Sequence, residues 1–202
     1  LGAGTAAVFC IHQARRDAIR SRAFGRLCQL RLALEIYEDL HGTLPPRLLR
    51  DTHGNQTHSW LAAVLPHCEE KAIFDKLDFT KSWDTVNNAD ALSLGRPFWE
   101  WFCRDGYFPC ALTSKESIWN PQTGSPRGLL KQFPNSIVLV AVPVDGVHPL
   151  QPFAIDDKNL RQALEQGQEA LFINCDGMYG TVRMEGGNIT YLPAVQHDRT
   201  KR

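Results

Sequence analysis

The sequence predicts an α+β fold: a long N-terminal helix packed on an antiparallel β-sheet, with an irregular insertion of short helices and loops between them. Three observations carry this. Ile19, Ala23, Leu27, Leu30, Leu34 and Tyr37 recur at steps of four, four, three, four and three, which is one stripe on a helix. Residues 137–142 (IVLVAV) form a continuous, largely β-branched run, the pattern of a central strand buried on both faces. Beyond residue 170, short apolar runs alternate with turn residues, which reads as a meander.

A chain of 202 residues can bury most of its apolar surface without a metal or disulfide. Its 22 basic and 22 acidic residues cancel, so no general attraction to nucleic acid or anionic lipid follows. The charge is uneven, however. Arg15, Arg16, Arg20, Arg22, Arg26 and Arg31 are met only by Asp17 before Glu35. Such a block fits a membrane surface or plain solvation. It lacks the aromatic residues and motifs of a nucleic-acid site.

The first helix is expected over about residues 6–41. Gly42 and then Pro45-Pro46 stop it. At ~1.5 Å per residue it would be ~50 Å long, more than a small domain is wide, so its start should project. A coiled-coil dimer is the competing explanation, but the stripe covers few heptads. Residues 1–11 are small and apolar yet shorter than the ~20 needed to cross a bilayer. With no initiating Met, the expectation is an anchor upstream of a trimmed chain.

Residues 43–55 read as a loop, with a turn at Gly54. Thr52 and His53 do not supply the ligand pattern of a calcium loop. Ser59 or His58 should cap a helix from Trp60 that stops at Pro66. A second short helix follows over 69–77. Trp60 and Trp83 read as core anchors more simply than as a ligand-stacking pair. Asp84 to Asn88 is a turn, and residues 89–101 a short helix with Pro97 starting its second half. Phe98, Trp99, Trp101 and Phe102 read as packing, with a binding surface as the alternative. The signal fades over 104–134, a long loop with a short edge strand near Ile118-Trp119. Residues 156–166 suggest a helix capped by Asp156, with Leu160 and Leu164 on one face. Strands follow at 170–175, 181–185 and 188–192, the last two joined by Gly186-Gly187. The tail from Gln196 is polar.

Little here carries chemistry. His53, His58 and His67 fit no metal pattern such as HExxH, and the six cysteines include no CxxC. His67-Cys68 are neighbours in sequence, which does not by itself place an imidazole on a thiol. Cys103 and Cys110 flank a turn-rich loop, so either a disulfide in an oxidising compartment or two buried thiols fits. Asp156-Asp157 is better explained by a helix cap than by acid–base work. Asn-x-Thr sequons occur at Asn55 and Asn188 and read as chance. No catalytic, cofactor-binding or metal residue is assigned.

One stretch does resemble a known family. Leu32-Ala33-Leu34, Tyr37, Gly42 and Pro45-Pro46 are followed by Gly54, His58-Ser59-Trp60, Leu65-Pro66, Glu69-Glu70, Phe74, Trp83-Asp84 and Asn87-Asn88. This series is similar to that of a large planctomycete family with a prepilin-type N-terminal methylation signal, domain of unknown function 1559. The likeness is dense over residues 13–88. It is looser at 135–142 and at Asp176-Gly177. Two features depart: Gln166 stands where the family often has His, and the prepilin signal itself is not in this sequence.

The resemblance implies a pilin-like layout. Residues 1–42 would be the end of a trimmed membrane anchor and its extracytoplasmic continuation, 43–195 a globular α+β head, and 196–202 a polar tail. The arginines would lie just outside the bilayer. The implied role is a non-enzymatic, inner-membrane-anchored, pilin-like or pseudopilin-like structural or secretion-associated protein with a periplasmic head. Its partners would be other pilin-like or envelope proteins, with self-assembly through the helix, and no nucleic acid or cofactor. The alternatives are a binding module that reads a peptide, glycan or partner protein with aromatic loops between Phe98 and Trp119, and an enzyme using His58, His67 or Cys68.

Overall fold

The computed structural model describes residues 3–120, 126–144 and 146–194. The polar tail expected from Gln196 lies outside them. Helix α1 (Ala3–His41) is continuous over 39 residues, or roughly 58 Å. Its stripe is where the periodicity put it: Ala23, Leu27, Leu30 and Leu34 are buried. Gly42, at φ +72, ends it with its N–H donated to the Glu38 carbonyl.

The main sheet has five strands in the order β3 (Phe108–Cys110), β5 (Ile137–Val142), β7 (Ala170–Asn174), β8 (Tyr179–Glu185) and β9 (Asn188–Pro193). Every pairing in it is antiparallel. The run at 137–142 is buried throughout, but the middle position belongs to β7. Helix α1 packs on β5 and β7. Phe24 meets Tyr179 at 4.6 Å between ring centroids, so the face carrying Tyr179 looks toward α1. By alternation Phe172, Gly180 and Val182 point to the other face.

Strand β3 was hidden in the stretch read as a loop. It is three residues long with Pro109 at its centre, which an edge strand tolerates because that N–H has no ladder partner to lose. No strand forms at Ile118-Trp119, only isolated bridges from Trp119 to Thr113 and Pro126 and from the adjacent Ser117 to Ile137. The buried Trp119 ring instead donates to the Val138 carbonyl at 2.8 Å, pinning this loop on β5. A second difference lies at residues 43–55, where a small hairpin replaces the loop: β1 (Leu48–Arg50) pairs with β2 (Gln56–Ser59).

The insertion is irregular, as expected. Helix α2 (Trp60–Val64) starts after Ser59, but the Ser59 hydroxyl donates to the Pro149 carbonyl at 2.6 Å and does not cap it. Helix α3 (Lys71–Phe74) follows a 3₁₀ turn at Leu65–Cys68. Asn88 is buried; it accepts from the Asp78 N–H at 2.7 Å and donates to the Ser82 carbonyl at 3.0 Å, closing the Trp83 loop. Helices α4 (Ala89–Leu94) and α5 (Arg96–Phe102) break at Gly95, with Pro97 in the first turn of α5. Two-residue strands β4 (Leu112–Thr113) and β6 (Ile155–Asp156) pair in parallel. Helix α6 (Asp157–Glu165) is capped by Asp156, which accepts from Asn159 N–H at 2.8 Å, and it buries Leu160 and Leu164.

Gly180 has a steric reason. A Cβ there would lie 2.0 Å from the Leu192 carbonyl oxygen and 2.8 Å from the Phe172 ring. Gly180→Ala is expected to cost about 1–3 kcal/mol by forcing β8 and β9 apart. A chemical-denaturation midpoint equal to that of the unaltered protein would refute this.

Candidate functional site

The chemistry-bearing residues do not converge. His53 is exposed in the β1–β2 turn, where Asp51 accepts from the N–H groups of His53 and Asn55 and from the Asn55 side chain. That is an Asx turn with its carboxylate already occupied. His58 is fully buried on β2 against Phe79. His67 sits edge-on to Tyr37 and His41. Burial pushes the Cys68 thiol up to about 12, opposite to what a nucleophile needs. Cys103 and Cys110 are free thiols. Among the described residues, no three His, Cys, Asp or Glu side chains stand close enough to hold a metal ion.

Asp157 does not sit at its ordinary value: burial raises it, with Glu116 and Asp156 adding to the effect. The aromatic stretch packs inward, as expected, with only Phe98 and Trp101 reaching a groove. Phe98, Trp99, Phe102, Phe108 and Trp119 are buried and pack largely on one another and the core. Trp83 stacks on His148 at 4.7 Å.

What the fold does build is a seam and two surfaces along α1. The seam uses the arginines, read from sequence as solvated or membrane-facing. Arg20 pairs with Glu169 at the start of β7, donating from Nε at 2.6 Å. Arg22 grips both Asp105 carboxylate oxygens at 3.0 and 2.8 Å. Arg26, 3% exposed, donates to the Arg104 carbonyl at 2.6 Å and to Asp105 at 3.3 Å. Arg31 donates to the Cys175 carbonyl at 2.9 Å. The buried Glu38 accepts the Leu130 N–H at 2.7 Å. Hydrogen bonding to Arg22, then to Arg26, holds Asp105 below the usual carboxylate range. The block is therefore largely a set of pins between helix and head, and their partners lie 78 to 149 residues away.

The first surface is the back of α1. At 3.6 residues per turn, Ile11, Ala14, Ala18, Ser21, Gly25, Leu32 and Ile36 lie opposite the buried stripe. All are exposed, with Ile11 at 67% and Leu32 at 52%. Leu40, 68% exposed, continues this side. Before Ile19 the helix extends past the head, and almost every side chain from Val8 to Ala18 is exposed. The middle of this face is small residues, which let another backbone come close.

The second surface is a groove of about 480 Å³ where α1, the 3₁₀ turn at Leu65–Cys68 and α5 meet. It is lined by Gln29, Leu32, His67, Cys68, Glu69, Glu70, Pro97, Phe98 and Trp101. Glu69 holds a left-handed φ of +65 and ends the 3₁₀ turn. Burial and the neighbouring Glu69 raise the Glu70 carboxyl.

Residues 13–101 match a family described as "Protein of unknown function (DUF1559)". Over that stretch the chain is similar to this family, and residues 102–202 lie outside the match. The DUF1559 segment runs from the projecting part of α1 to the end of α5, and it contains every residue that lines the groove. It leaves out the five-stranded sheet, so the seam joins the matched helix to turns and to the two ends of β7 beyond the matched stretch. No curated protein and no solved structure matches the chain. Among the described residues, no helix is long and apolar enough to cross a membrane.

Sequence reasoning identified one stripe on α1 and missed the other. Its signal was present: Ile11, Ala14, Ala18, Ser21, Gly25, Cys28 and Leu32 step by three and four. Small side chains kept it from reading as apolar.

Proposed function

We propose that this protein is a non-enzymatic, pilin-like or pseudopilin-like structural or secretion-associated component of the cell envelope that assembles through α1. The observation that carries this reading is the exposed back face of α1, which continues past the head. Gly25 sharpens it. Glycine inside a helix costs roughly 0.5–1 kcal/mol relative to alanine, and a Cβ at Gly25 would meet nothing within 4 Å. Among the described residues no contact requires this glycine, whereas close approach of a second helix does. Anchoring in the inner membrane with a periplasmic head belongs to the same reading. Its support is the resemblance of residues 13–88 to prepilin-type proteins.

Photo-crosslinking from Ala14, Ala18 and Gly25 in the natural host tests it. The expected products join the chain to a second copy or to another pilin-like protein, in the inner-membrane fraction. Ala18→Glu with Gly25→Glu should abolish them while the melting temperature holds or rises, since glutamate is a better helix former than glycine. A chain recovered only as a monomer, with no crosslinks from this face, would refute the reading.

For the binding-module alternative, only Phe98 and Trp101 of the aromatic stretch line a groove, while Trp99, Phe102, Phe108 and Trp119 pack inward.

A further inference from the structure

The groove and the projecting start of α1 carry complementary charge. Among the described residues, Glu69 and Glu70 form no ion pair, and neither do Arg15 and Arg16. The other four arginines of the block all pair with the head or with their own helix. The unpaired glutamates stand beside Leu32, Phe98 and the half-buried Trp101. The unpaired arginines follow Val8, Phe9 and Ile11, which are 54%, 65% and 67% exposed. Val8, Ile11 and Arg15 step by three and four and so share one face of the helix; each surface is thus an apolar patch beside charge, and the two signs are opposite.

We infer that the groove between α1, the 3₁₀ turn at Leu65–Cys68 and α5 receives the projecting start of α1 from a second copy of this chain. Val8 and Ile11 cover Leu32, Phe98 and Trp101, and Arg15, on the same face of the helix, meets Glu69 and Glu70. This inference rests on the assembly reading above and names the acceptor surface. The dimensions agree. Residues 3–18 span about 24 Å as helix, and a copy shifted by about 20 residues, roughly 30 Å, brings residue 11 level with residues 29–32. A chain cannot fill its own groove this way, because its own start points away along a straight helix. The contact is head-to-tail, so it propagates as an open row of copies and does not close as a dimer.

The test uses two double variants, R15E/R16E and E69K/E70K, in sedimentation velocity over a concentration series at low salt, with circular dichroism to confirm folding. All four positions are exposed or half-buried and hold no side-chain partner among the described residues of the head, so the fold should persist. Each variant alone is expected to associate roughly tenfold or more weakly than the unaltered chain. Mixed in equal amounts they should associate again, because the glutamates of one start meet the lysines of the other groove. Recovery in the mixture is not a result that a general charge effect or unfolding would give. If both variants associate like the unaltered chain, or the mixture fails to recover, the groove is not the acceptor. In that case A18E/G25E separates the two ideas: association lost there and kept in the charge variants leaves the back-face reading standing. An unaltered chain that stays monomeric throughout overturns both.

Discussion

Asp105→Ala is expected to destabilise the protein by about 3 kcal/mol. For a chain of this length that is a fall of roughly 10 °C in melting temperature. Asp105 receives two hydrogen bonds from Arg22 and one from Arg26, whose side chain is only 4% exposed. Removing the carboxylate leaves the Arg26 charge buried with one carbonyl partner, and an uncompensated buried charge is the most expensive outcome of breaking a pair. The backbone adds to the loss. Asp105 sits at φ +67, a left-handed conformation that asparagine and aspartate tolerate better than alanine. Asp105→Asn keeps that tolerance and one acceptor oxygen, so it should fall between the two. Arg22→Ala should cost far less than Asp105→Ala, since Arg22 is about half exposed and Arg26 would still have its carboxylate. Equal midpoints for Arg22→Ala and Asp105→Ala would mean that the buried charge is not what the pair protects. The Asp105 variant should also loosen α1 from the head, which faster amide exchange around Arg26 would reveal.

This seam marks the limit of what could be read in advance. Periodicity is local, and it located α1, its buried stripe, the 137–142 strand, the late hairpin and the α6 cap, because each repeats within a few residues. A charge has no period that names its partner. Arg20 and Glu169 are 149 residues apart, and nothing near either position distinguishes a pin from a solvated side chain. Strand β3 was lost for a different reason: three residues centred on Pro109 carry no alternation, and only the neighbouring β5 makes them a strand. Trp119 was legible as an aromatic but not as a hydrogen-bonded core residue. The groove was invisible because it joins residues 29–32, 67–70 and 97–101, three segments that meet only in the folded chain. The back face of α1 was within reach, had small residues been counted as well as large apolar ones.

Acid should unfold the protein early, between about pH 6.5 and pH 4. Burial pushes the rings of His58 and His148 down to about 4. Above pH 6.5, the ordinary histidine value, both are neutral in folded and unfolded chains alike, and they impose no pH dependence. As pH falls below 6.5 the unfolded chain takes up protons that the folded one refuses, so stability drops until the folded values are reached. The loss is roughly 3 kcal/mol for each fully refused proton, which together approaches the whole stability of a typical domain. His58 is the cleaner case. It is 0% exposed, and among the described residues neither ring nitrogen has a partner; only Asp78 pulls its value upward. His148 accepts the Leu150 N–H on Nδ1 at 3.2 Å, a bond that protonation of that nitrogen destroys. Its stacking on Trp83 favours a cation and offsets part of the loss. The lowered carboxylates, Asp51, Asp78 and Asp105, lose their contribution only as pH falls through values below 3.8, outside this window. Glu70 and Asp157 are raised and act in the opposite sense. Urea midpoints at pH 7, 5.5 and 4.5 should therefore fall steadily. His58→Gln should start lower at pH 7, having lost packing against Phe79, but should show a shallower slope. A midpoint that stays level down to pH 4.5 would mean both rings charge freely in the folded state, and that water reaches His58.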